Sequence, residues 1–153
     1  MPEEKLPQNI QDLITDIGEK TVLFHLYLRL KDTKWEVYKS VGDKGCDIVL
    51  INPTNNRKVK IEVKTRQRIY TTSNHNTFHF MITESEYNSC DFLIAYWLEK
   101  QYFFIVPKEE LIPTKSDNRK LYRLTVYEKS DGTLKDTCLK YLDRWDLIMD
   151  KLK

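Results

Sequence analysis

Residues 59–64 read Val-Lys-Ile-Glu-Val-Lys, and this strict alternation is the strongest constraint in the chain. A strand has a period of two, so Val59, Ile61 and Val63 share one face and Lys60, Glu62 and Lys64 the other. The apolar, largely β-branched run Ile48-Val49-Leu50-Ile51 precedes it across Asn52-Pro53-Thr54-Asn55-Asn56, a turn composition. The two runs are therefore expected to form a hairpin, with Asp47 at the start of one strand opposite the Glu62 end of the other. Two carboxylates and the Lys64 ammonium would then converge at one sheet edge. Those are the parts needed for metal-assisted phosphodiester hydrolysis. Asp43 is a rival for the first acid; Asp47 is preferred because the apolar run begins immediately after it.

The pattern of Asp47, fourteen intervening residues, then Glu62-Val63-Lys64 resembles the PD-(D/E)xK nuclease superfamily, which includes restriction endonucleases and archaeal Holliday-junction resolvases. The residue before the first acid is Cys46 rather than proline. The resemblance runs from about Glu19 to Leu111. It implies an α/β fold of the restriction-endonuclease type, with a mixed central sheet flanked by helices. It also implies that Asp47, Glu62 and Lys64 are catalytic, and that a helical acid preceding the hairpin joins them, for which Glu19 is the matching residue. Mg²⁺, a hard cation that prefers oxygen ligands, is the implied cofactor, with Mn²⁺ substituting. Asp47, Glu62, Glu19 and the Val63 carbonyl are its implied ligands. Lys64 would orient or deprotonate a metal-bound water.

Composition fits this reading without requiring it. At 153 residues and 41% hydrophobic content, the chain is expected to be one domain spanning 1–153. The net charge is +2, yet residues 57–70 hold six basic side chains against one acid, so the remainder is net negative. Basic charge beside the carboxylates suits a polyanion, and Lys44, Arg66, Arg68 and Tyr70 are the expected DNA contacts. A solvated strand with ordinary surface lysines is the plainer alternative. Three widely spaced cysteines without a CxxC pair argue against a zinc site and for a reducing, cytoplasmic setting. Met1–Lys5 lacks an apolar core, and no apolar run is long enough to span a bilayer, so no membrane partner is expected.

Along the chain, residues 8–30 carry apolar side chains at helical spacing, with Glu19 at the edge of the buried face. A carboxylate there is costly unless it meets a cation, a metal or hydrogen bonds; Lys20 and Lys39 are the ordinary partners. Trp35–Ser40 is expected as a first strand, and residues 65–77 as a polar, basic loop. Phe78, Phe80 and Ile82 alternate as a strand, and Thr83 with Glu86 forms a capping box opening a short helix. Residues 92–98 suit a central strand, 102–106 pair back, and 121–127 alternate again. From Lys135 onward the spacing predicts one amphipathic helix. His25 reads as a packing residue, and His75 and His79 do not converge on a strand.

These readings make the chain a metal-dependent DNA endonuclease of the resolvase, repair or restriction type, working as a homodimer because two strands need two sites. The apolar strands and the C-terminal helix are the expected dimer contact. A non-catalytic nucleic-acid-binding module on the same fold, or a nuclease subunit of a larger complex, is the alternative.

Overall fold

The computed structural model describes residues 6–41, 46–67, 71–72 and 75–153. Helix α1 (Gln8–Leu30) leads into a five-stranded sheet built from β1 (Glu36–Lys39), β2 (Ile48–Asn52), β3 (Arg57–Arg66), β6 (Phe92–Trp97) and β7 (Tyr102–Pro107), in that spatial order. Only the β3–β6 pairing is parallel. Between β3 and β6 the chain forms β4 (Thr71–Thr72), β5 (His75–Thr83) and helix α2 (Glu84–Ser89). A second, antiparallel sheet follows the order β4, β5, β9 (Arg119–Glu128), β8 (Ile112–Ser116). Short helices α3 (Asp136–Leu139) and α4 (Trp145–Lys151) come last.

The predicted hairpin forms with Ile48 opposite Ile61 and Asn52 opposite Arg57. Its turn is held by the Asn56 N–H donating to the Asn52 carbonyl at 2.8 Å, with Asn56 at φ 61°. Asparagine tolerates that left-handed geometry better than most residues.

Alternation on β6 explains its unbroken apolar run. Phe92, Ile94 and Tyr96 face a core shared with Val22, Leu26 and Leu30 of α1 and Ile148 of α4. Leu93, Ala95 and Trp97 face a second core with Phe80, Ile82, Leu124 and Val126 of the other sheet. A strand buried on both faces has no polar side to show. Each large side chain enclosed here contributes about 1.5–3 kcal/mol of apolar burial. The molecule is thus layered as helices, mixed sheet, second sheet, so one face of the central sheet is covered by strands rather than by helices.

Three sequence expectations change. The basic stretch 65–77 is not one loop: β3 continues to Arg66 and β5 begins at His75. The single C-terminal helix is broken, because residues 141–143 run along the free edge of β7. There the Ile105 N–H donates to the Tyr141 carbonyl at 3.0 Å, and the Asp143 N–H to the Phe103 carbonyl at 2.7 Å. Covering an edge strand in this way removes a template for unwanted pairing. Among the described residues, the apolar side chains of β6 and β7, with Trp145 and Ile148 of α4, are largely buried inside the molecule rather than at the surface expected for a partner.

Candidate active site

Helix α1 crosses the end of β3 at Gly18. A β-carbon there would stand 1.7 Å from the Thr65 hydroxyl oxygen, so only glycine permits this approach. The crossing delivers the next residue, Glu19, to the start of β2. Lys20 and Lys39 pair with Asp16, at 2.9 and 3.9 Å, rather than with Glu19. Glu19 instead shares a hydrogen bond with Asp47, and burial together with the Asp47 charge pushes its pKa up to about 7.

Asp47 is fixed by its backbone on both sides. Its N–H donates to the Ile61 carbonyl and its carbonyl accepts from Ser40 N–H, both at 2.9 Å. Its side chain accepts from the Val63 N–H at 2.8 Å. The odd-numbered residues of β3 thus direct their backbone groups toward β2, whereas the Lys60 and Arg66 carbonyls accept from Asp91 and Leu98 on the β6 side. The Val63 carbonyl shares the direction of its N–H, and β2 begins only at Ile48, opposite Ile61. That carbonyl therefore lies on the β2 side of β3, beyond the end of the paired strand.

Glu62 is 4% exposed. Burial, then the Asp47 charge, then Glu86 raise its pKa to about 9, against the opposing pull of Lys64. The Lys64 ammonium lies 2.9 Å from Glu86 and 3.5 Å from Glu62. Burial opposes its charge, but the neighbouring carboxylates hold its pKa above the ordinary lysine value. For Glu86, burial would favour the neutral acid. The Thr83 N–H and the Lys64 ammonium outweigh it and hold the pKa low.

Four carboxyl groups, Glu19, Asp47, Glu62 and Glu86, thus form a row with one ammonium among them. In two of the four, burial first and the neighbouring carboxylate charge second favour the protonated form at neutral pH. A row of oxygen donors with surplus negative charge fits a hard divalent cation. Soft donors do not compete: burial pushes the nearby Cys90 thiol up to about 12. Among the described residues, no three such side chains stand already gathered as a coordination shell.

Glu86 is the residue that sequence reasoning valued only as a helix cap. The cap is present: Thr83 N–H donates to Glu86 at 2.8 Å, and the Glu86 N–H to the Thr83 hydroxyl at 3.1 Å. The other Glu86 oxygen is the one that meets Lys64.

The proposed DNA contacts fare differently. Lys44, Arg68 and Tyr70, like Asp43, lie outside the described residues. Arg66 lies over the Phe78 ring of the second sheet at 4.1 Å. Arg57 sits at the hairpin turn, about 17 Å along the strand from Glu62. Its guanidinium donates to the Lys151 carbonyl at 2.8 Å and the Lys153 carbonyl at 3.3 Å, so part of the basic cluster serves the fold.

No model of a known protein family matches the chain, and no curated protein matches it by sequence. Solved structures do. The bacterial homing endonuclease I-Ssp6803I superposes with a TM-score of 0.63 at 21% identity, covering 92% of each chain. The fold is that of the restriction-endonuclease-like nucleases. The Holliday junction resolvase Hjc of Archaeoglobus fulgidus superposes with a TM-score of 0.50 at 14% identity, over 83% of this chain and 93% of that one. No helix among the described residues is long and apolar enough to cross a membrane.

Proposed function

We propose that this chain, as a single PD-(D/E)xK nuclease-like domain over residues 1–153, is a metal-dependent DNA endonuclease acting as a homodimer. The observation that carries the reading is the convergence of Glu19, Asp47, Glu62 and Lys64 from a helix and two strands. Its carboxyl groups retain protons that a cation would displace. The likeness to a homing endonuclease and a junction resolvase supports the same reading.

Asp47, Glu62, Glu19 and the Val63 carbonyl would hold Mg²⁺, or Mn²⁺ in its place. When bound, the metal supplies a water of lowered pKa and polarises a phosphoryl oxygen. Glu19 and Glu62 would give up their protons to solvent on loading. Asp47 keeps its orientation through the Val63 N–H. Lys64, held by Glu86, would position the attacking water and balance charge on the phosphate. DNA is the substrate the reading favours, with Lys44, Arg66, Arg68 and Tyr70 as its proposed contacts.

The test is cleavage of an end-labelled panel of plasmid, linear duplex, four-way junction, flap and single strand with Mg²⁺ or Mn²⁺. Cutting that disappears with EDTA and in Lys64→Ala is the expected result. Folded, metal-binding protein that cuts nothing would overturn the reading in favour of a binding module.

A further inference from the structure

Helix α1 is apolar on two faces. One, with Val22, Leu26 and Leu30, is buried in the core. On the opposite side Leu13, Ile17, Phe24 and Tyr27 are exposed by 37–59%, the largest such cluster among the described residues, with Leu28 exposed beside them. Ile10, half-buried, and Lys20 complete the row. The positions 10, 13, 17, 20, 24 and 27 step by three and four alternately. That is the heptad seam of a two-stranded coiled coil, and from Ile10 to Tyr27 it runs for about 25 Å.

We propose that this seam docks a second copy of the chain, with the two α1 helices antiparallel about a two-fold axis level with Gly18 and Glu19. Charge selects the occupant and the direction. The first half of the helix carries Asp12 and Asp16, and beyond the midpoint Lys20 and the adjoining Lys31 are basic, whereas Glu19 is turned into the candidate site and Arg29 lies over Trp145. A copy laid antiparallel sets Asp16 beside Lys20 of the partner subunit at the midpoint, and it also opposes the helix dipoles. A parallel copy would set like against like.

The seam is symmetric under that operation. Leu13 meets the partner's Phe24, Ile10 meets the partner's Tyr27, and Ile17 meets the partner's Lys20. The lysine at the middle of an otherwise apolar seam then has a use. It already contacts Asp16 of its own helix at 2.9 Å, and in the pair it reaches Asp16 of the partner subunit. One polar residue at such a position fixes register.

The inference rests on the homodimer proposed above and gives it a surface. Because the axis passes level with Glu19, the two candidate sites are related through a single rigid helix pair. Their spacing is then set by α1 rather than by loops.

Sedimentation equilibrium of the full chain, run without metal or DNA, tests the proposal. A dimer is expected, and Phe24→Glu, which alters an exposed residue, should weaken it about a hundredfold, since each substitution acts twice. Asp16→Lys and Lys20→Asp should each weaken the dimer, and the double exchange should restore it. Mixed Leu13→Cys and Phe24→Cys chains should cross-link to one another and not to themselves, the three native cysteines being buried. A monomer at all concentrations, a dimer unaffected by Phe24→Glu, or self-cross-linking of each cysteine variant would overturn it. The nuclease reading is judged separately by the cleavage panel: a monomer that cuts DNA sinks only the seam, and a seam dimer that cuts nothing sinks only the nuclease.

Discussion

The Lys64 ammonium is held at 2.9 Å by Glu86, a residue 22 positions further along the chain and on the other side of the second sheet's first long strand. The same carboxylate caps α2, so one side chain joins the end of β3 to the helix that follows β5. Glutamine can also close a capping box. Glu86→Gln is therefore expected to keep the helix start while removing the charge that aligns Lys64. Single-turnover cleavage should fall about tenfold. Thr83→Ala, which breaks the cap, should instead lower unfolding stability by about 1 kcal/mol. Equal thermal losses in both variants would mean that Glu86 serves only the helix.

The protonated carboxyls give metal binding a proton signature. At pH 7 Glu62, raised to about 9, is neutral, and Glu19, raised to about 7, is half protonated. Loading a divalent cation in weak buffer at pH 7 should release about 1.5 protons per chain. Glu62→Gln should lower that release by about one, as read by calorimetry in buffers of different ionisation enthalpy.

The same groups set the direction of the pH dependence without metal. Both carboxyls bind protons more tightly in the folded chain than in the unfolded one, where their pKa is near 4.5. Stability is then greatest below pH 4.5 for these two groups and declines as pH rises through about 7 and about 9. Glu62→Gln copies the protonated form and should melt above the parent protein at pH 8. A parent melting point that climbs from pH 5 to pH 8 in EDTA would contradict this.

Gly18→Ala should be costly for a residue so small. Its β-carbon would meet the Thr65 hydroxyl at 1.7 Å and the Thr65 β-carbon at 2.7 Å, so α1 must move away from β3. A loss of about 1–3 kcal/mol is expected, with weaker metal binding because Glu19 moves too. Thr65→Ala should recover only part of it, since the second contact remains. Urea titrations of the single and double variants read this directly.

Much of this architecture was legible in the sequence. Alternation fixed the β2–β3 hairpin, helical spacing fixed α1, and Thr83 with Glu86 announced α2. The second sheet was hidden because β8 is a short, mostly exposed edge strand containing Pro113 and Lys115, with little pattern to read. The break between α3 and α4 was masked because Tyr141 and Leu142 keep helical spacing while serving β7. Asp143 at φ 54° makes the turn. The pairing of Lys64 with Glu86 depends on two elements meeting across the fold, which no local pattern encodes. Asp47 was read from its place before the apolar run and Val63 through resemblance alone; the hydrogen bond from the Val63 N–H to Asp47 joins the two.

The strip at Tyr141–Asp143 has a consequence for how the molecule comes into being. The edge of β7 is sealed, and the first core closed by Ile148 and Leu152, only by residues made some forty positions after β7 itself. On a ribosome the hairpin bearing Asp47 and Glu62 emerges long before the wall behind it exists. The apolar side of that hairpin, Val59, Ile61 and Val63, therefore stays open to water until synthesis has passed residue 152.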